Sequence, residues 1–228
     1  HDKNYLPTDA NVIGMVNRQA DKNTTIVQAA GGLPGELHKL WRTESPLGYH
    51  VEYGFSCMGY ELAGGLGAKM ATPERDVVVM VGDGSYLMLN SEIATSVMLD
   101  LKLTIVVLDN RGFGCINRLQ NACGSESFNN LLKDCHKAEL APKTQFAEHA
   151  KALGAKGEEV QSLADLEAAL ERAKSSDTTY VIAIDTDPMP TTQEGGAWWD
   201  VAVAEVSNNQ SVKAANAQYR LAKQKQPY

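Results

Sequence analysis

VVVMVGDGSYLMLNSEIATSVMLDLKLTIVVLDNRGFG, residues 77–114, is the stretch on which the fold is decided. Residues 77–81 form an unbroken apolar run dominated by valine, too short for a typical helix and suited to a strand buried on both faces. Gly82-Asp83-Gly84-Ser85 closes it with a tight turn. Residues 90–99 carry helical spacing, with Ile93 beside Val97 and Ala94 beside Met98. Residues 103–108 read as a second buried strand, ended by Asp109-Asn110. Strand, helix and strand in that order predict two parallel strands joined by a right-handed crossover.

That arrangement puts Asp83 and Asn110 just past the carboxyl ends of parallel strands, where open α/β sheets bind ligands. Gly82 and Gly84 flank Asp83, so the amides of Gly84 and Ser85 are free to approach an anion closely. Asp83 offers a carboxylate oxygen, Asn110 an amide oxygen and Gly112 a backbone carbonyl. Three hard oxygens, completed by diphosphate oxygens and water, suit octahedral Mg²⁺.

Composition narrows the remaining classes. The 228 residues suit one large domain or two small ones, and 43% of them are hydrophobic, which is ordinary for a globular chain. The net charge of -7 argues against nucleic acid or an anionic membrane as the main partner. No apolar stretch is long enough to span a bilayer, and no signal peptide is visible. Cys57, Cys115, Cys123 and Cys135 contain no C-x-x-C pair, so reduced thiols and a cytoplasmic setting are the simple reading. A dinucleotide-binding protein would need Gly-x-Gly-x-x-Gly after the first strand and an acidic residue for the ribose, and that fingerprint is missing.

Outward from the central stretch, residues 11–20 suit a short helix capped by Asn11 or Asp9. Residues 24–30 read as a strand that ends in Gly31-Gly32-Leu33-Pro34-Gly35, with a helix from residue 36 to 41. A strand, a glycine-rich turn and a helix start make a second candidate anion site. Residues 57–70 form a helix rich in small residues. Residues 144–153 form a helix capped by Thr144, residues 155–160 an edge strand, residues 162–174 an amphipathic helix capped by Ser162, and residues 180–184 a buried strand. The alternation completes an α/β fold: a doubly wound, mostly parallel sheet flanked by helices. Residues 1–186 are expected to be the binding domain, and residues 187–228 an extension in which Trp198-Trp199 anchors packing.

Gly-Asp-Gly, a connecting helix and Asn110 at an interval of 27 positions resemble the cofactor motif of the thiamine-diphosphate-dependent enzymes. The resemblance implies the diphosphate-side domain of that fold, with thiamine diphosphate and Mg²⁺ as cofactors. It implies that the Ser56 carbonyl accepts from the aminopyrimidine amino group and that Met58 wedges the cofactor into its bent shape. It also implies that His38, a few residues before Trp41, faces the diphosphate. An amphipathic surface histidine is the competing reading of His38, and core packing that of Met58. The family's activating glutamate comes from a pyrimidine-binding domain, which has no counterpart here. No catalytic residue is therefore expected in this chain, which should be part of a longer homo-oligomeric enzyme, a dimer or tetramer.

LDNRGFGCINRLQ, SFNNLL and GGAWWDVAVAEVS narrow the resemblance to a ring-opening branch of the family in myo-inositol catabolism. That branch hydrolyses a carbon–carbon bond in a cyclic diketone and releases 5-deoxy-glucuronate. An acetolactate synthase-like enzyme, a 2-oxoacid decarboxylase and a non-catalytic cofactor-binding module remain as alternatives. Asp109 stands where the family typically has a first asparagine.

Overall fold

The computed structural model describes residues 5–140, 143–192 and 200–226. Six strands form one parallel sheet: β1 (Thr24–Gln28), β2 (Tyr49–Val51), β3 (Asp76–Gly82), β4 (Thr104–Asp109), β5 (Lys156–Val160) and β6 (Tyr180–Asp185). Their order across the sheet is β2-β1-β3-β4-β6-β5. The helices are α1 (Asp9–Gln19), α2 (Leu33–Leu40), α3 (Tyr60–Ala71), α4 (Asp83–Tyr86), α5 (Glu92–Met98), α6 (Gly114–Ala122), α7 (Phe146–Ala152), α8 (Leu163–Lys174) and α9 (Gln210–Lys223).

Strand periodicity sorts the core into two layers. Met80, Val106, Leu108, Ile182 and Ile184 point to one face, where α1, α2 and α8 cover them. Val79, Val81, Ile105, Val107, Val181 and Ala183 point to the other and meet residues of α3, α5 and α7. Every second residue goes to the opposite side, so both faces are apolar and the strands read as continuous hydrophobic runs. Among the described residues no helix is long and apolar enough to cross a membrane.

The winding fixes where a ligand can sit. From β1 the chain moves to β2 on one side, whereas β3 pairs with β1 on the other. The loops leaving β1 and β3 therefore diverge, which opens a crevice at the carboxyl ends of the two strands.

Several helix starts differ from the sequence reading. Thr8, rather than Asn11 or Asp9, caps α1; its hydroxyl accepts from the Asn11 amide at 3.2 Å while the Asn11 side chain accepts from the Thr8 amide at 3.0 Å. That reciprocal box satisfies two donors at once, which a lone side chain at position 9 or 11 does not. Gln145 occupies the cap position of α7 without a side-chain bond, so Thr144 is not its cap. α3 begins at Tyr60 because Gly59 adopts a left-handed conformation (φ 92°) that ends the preceding turn. Ser162 caps α8 as read, accepting from the Asp165 amide at 3.1 Å. β5 is an edge strand as expected, and β2 is a short opposite edge that its sequence does not announce. Trp198 and Trp199 lie outside the described residues.

Candidate functional site

β3 and β4 run side by side in register, with Gly82 opposite Leu108. Their ends deliver Asp83, the first residue of α4, and Asn110 to one place. Asp83 is buried, and its Oδ2 accepts from the Gly112 amide at 2.8 Å. Gly112 makes this approach at φ 145°, and a side chain there would strike the Asn130 backbone. The Gly112 carbonyl takes no hydrogen bond among the described residues. Asn110 Oδ1 is buried and has no hydrogen-bond partner among them either.

An orphaned amide oxygen beside a buried carboxylate is costly unless a ligand completes both. Burial drives the Asp83 pKa up to about 7, repulsion from Asp109 adds to the rise, and the Gly112 amide opposes it. Asp109 is itself buried and raised, chiefly by burial; its Oδ1 accepts from the Arg111 amide at 3.0 Å. Asp109 thus adds a second carboxylate whose charge a cation at Asp83 would relieve. Among the described residues no three His, Cys, Asp or Glu side chains converge on a metal position. The oxygens that line this point are one carboxylate, one amide oxygen and one backbone carbonyl, a set that Mg²⁺ accepts when water and an anion supply the rest.

A cavity of about 160 Å³ opens at this point. Gly82, Asp83, Gly84 and Ser85 line one wall, Ser56 and Met58 another, and Ala30 to Leu33 a third. Gly84 lies so close to the opposite wall that a methyl group on it would come within 2.6 Å of the Phe113 ring and 3.5 Å of the Met58 methyl. Met58 is 37% exposed and lines the cavity, outside both hydrophobic core layers. Ser56 adopts φ 53°, and Glu52 holds its loop by accepting from the Phe55 and Cys57 amides at 3.0 and 2.7 Å.

The structure thus brings Gly82, Asp83, Gly84, Ser85, Ser56, Met58, Asn110 and Gly112 together around one cavity. It does not bring His38 there. His38 is exposed in the last turn of α2, with its ring 5.6 Å from that of Tyr49 and 5.4 Å from that of Tyr53. Phe113 and Arg118 line the cavity without having been singled out, and so does Asp9, read from the sequence only as a candidate helix cap. Arg118 shares a helix face with Gly114, four residues earlier, and that spacing could have marked it. Its guanidinium comes within 2.5 Å of where a Gly32 side chain would start, and it donates to the Pro188 carbonyl. Asp9 is buried and pushed up to about 6 by desolvation, against the pull of Arg118.

Residues 29–184 match the family model of the thiamine pyrophosphate enzyme C-terminal TPP-binding domain. The chain belongs to the thiamine pyrophosphate enzymes. Within that family it is 46% identical over 213 residues to 3D-(3,5/4)-trihydroxycyclohexane-1,2-dione hydrolase of Bacillus anthracis, covering 91% of this chain and 33% of the relative. The protein of the same name in Bacillus thuringiensis is 44% identical over the same shares. The chain therefore spans about a third of the length of the curated relatives it matches. A solved thiamine diphosphate-dependent 4-hydroxybenzoylformate decarboxylase from Rhodococcus jostii superposes with a TM-score of 0.71 at 19% identity. That superposition covers 80% of this chain and 33% of the decarboxylase, and confirms the fold.

Proposed function

We propose that this chain is the diphosphate- and Mg²⁺-binding part of a thiamine-diphosphate-dependent hydrolase acting on a carbon–carbon bond. The substrate we propose is 3D-(3,5/4)-trihydroxycyclohexane-1,2-dione, a cyclic diketone opened to 5-deoxy-glucuronate in inositol catabolism. The observation that carries the cofactor is the buried Asn110 Oδ1 without a partner, set beside an Asp83 carboxylate whose charge burial disfavours. Identity of 46% to relatives named for that hydrolase supports the substrate.

When bound, thiamine diphosphate supplies an electron sink for cleavage next to a carbonyl. The residues here hold and orient it. Asp83, Asn110 and the Gly112 carbonyl would hold Mg²⁺, whose charge would offset that of the diphosphate. The amides of Gly84 and Ser85, at the turn after β3, would donate to the phosphate oxygens. Met58 would support the cofactor from the cavity wall, and the Ser56 carbonyl would accept from its amino group. The activating glutamate belongs to a pyrimidine-binding domain of the same or a second subunit, in a cytoplasmic homo-oligomer. His38 faces the diphosphate only if its helix turn repositions when the cofactor enters.

Two titrations test this reading in the full-length enzyme. Thiamine diphosphate should bind in the presence of Mg²⁺ and not after chelation, whereas NAD should not bind; the opposite pattern removes the cofactor. The cyclic dione should then be consumed in preference to pyruvate. Preference for pyruvate would favour the acetolactate synthase or decarboxylase alternative.

A further inference from the structure

Glu61 is wholly buried in the first turn of α3, a helix rich in small and apolar residues. It does not line the cavity, yet its carboxylate gathers three donors from the cavity's three walls. Oε1 accepts from the Ala30 amide at 3.0 Å. Oε2 accepts from the Gly59 amide at 3.0 Å and from the Ser85 hydroxyl at 2.7 Å. Ser85 Oγ also accepts from the Gly59 amide at 2.7 Å. Ala30 follows β1, Gly59 follows Met58, and Ser85 belongs to the turn after β3; Ala30, Met58 and Ser85 all line the cavity.

We infer that Glu61 is a positioning residue that locks the three cavity-forming loops in one register, so that the Ser85 turn, Met58 and the β1 tip face a cofactor together. Chemistry explains why a carboxylate is used. Every partner is a donor, so the group at position 61 must accept on both oxygens, which an ionised glutamate does. Burial raises its pKa, and the bonds from Ser85, Ala30 and Gly59 resist that rise. Glutamine has one acceptor and one donor at its tip, so Glu61→Gln sets an N–H against at least one of the three donors. Gly59 cannot adapt by changing residue: its left-handed backbone and a Cβ position 2.9 Å from Leu89 exclude a side chain. The consequence for binding rests on the cofactor reading above; the lock itself does not.

The test is hydrogen–deuterium exchange on the cofactor-free full-length enzyme, paired with a thiamine diphosphate and Mg²⁺ titration. In Glu61→Gln the amide that meets the new N–H, at Ala30 or at Gly59, should exchange about tenfold faster, since its hydrogen bond to a charged group is lost. Exchange in β4 and β6 should not change. Cofactor affinity should fall by a similar factor of about ten. Ser85→Ala leaves the carboxylate in place and removes only the bridging hydroxyl. It should speed Gly59 and spare Ala30, which keeps the inference testable if Glu61→Gln does not fold. Uniformly faster exchange through β4 and β6, or unchanged exchange at Ala30 and Gly59, would overturn the inference. A wild-type enzyme that binds no thiamine diphosphate would sink the cofactor reading, and the exchange comparison would still decide the lock.

Discussion

Two strand-to-helix turns face the same crevice, and they differ in what they put there. The turn after β3 carries Asp83 at its first helical residue, and β4 brings Asn110 against it. Both positions lie within a residue of a strand end, so the hydrogen-bonded sheet fixes them. The turn after β1 reaches the same cavity with Gly31 and Gly32, but its histidine sits a full helical turn and more further on. There the ring lies beside those of Tyr49 and Tyr53. A motif tied to strand ends is positioned by backbone register; a residue carried along a helix is positioned by the helix's phase.

Substitutions can break that contrast or sharpen it. Asp83→Ala should have the largest effect: Mg²⁺-dependent affinity for thiamine diphosphate should fall on the order of a hundredfold or more, because a charged ligand is removed from a buried site. Calorimetric titration of the full-length enzyme with and without Mg²⁺ measures it, and unchanged affinity would remove the metal from this turn. Asn110→Ala should cost about tenfold to a hundredfold in the same titration. An effect below twofold there would mean that the orphaned oxygen serves no ligand.

The pH dependence follows from Asp83. Its folded pKa lies above the ordinary carboxylate value, at about 7, so the fold prefers the protonated form. In the metal-free protein the stability that Asp83 contributes is fully present at low pH and is lost as pH rises to about 7. Metal binding requires the ionised form, so the proton competes with it. Mg²⁺-dependent affinity should be flat above pH 7 and fall by up to about tenfold per unit below it. A profile flat from pH 8 to 6 would contradict the assignment. His38→Ala should have the smallest effect, within about twofold on affinity, as for an exposed side chain away from the site. A loss as large as that at Asn110 would show that the α2 turn swings inward on binding.

The same contrast explains what the sequence made legible. Buried strands with apolar runs, such as residues 77–81, announced themselves, and their ends located Asp83, Asn110 and Gly112. Glycine at position 84 reads as letting an anion approach; the structure gives it a second reason, since a side chain there would meet the Phe113 ring. Capping at Thr8 was missed because a reciprocal box depends on geometry that two adjacent acceptable caps conceal. Glu61 was visible only as a charge in a small-residue helix; its three donors come from segments far apart in the chain. Asp9 and Phe113 reach the cavity by tertiary packing, and no local pattern marks them. Arg118 had a helical spacing to offer, but its meaning required knowing that Gly114 faces the cavity.

The most direct measurement is a crystal of the full-length enzyme grown with thiamine diphosphate and Mn²⁺ in place of Mg²⁺, with the cation located by its anomalous scattering. The peak should lie in contact with an Asp83 carboxylate oxygen, Asn110 Oδ1 and the Gly112 carbonyl. A peak bound elsewhere, or thiamine diphosphate seated in the cavity with these three oxygens still facing no cation, would contradict it.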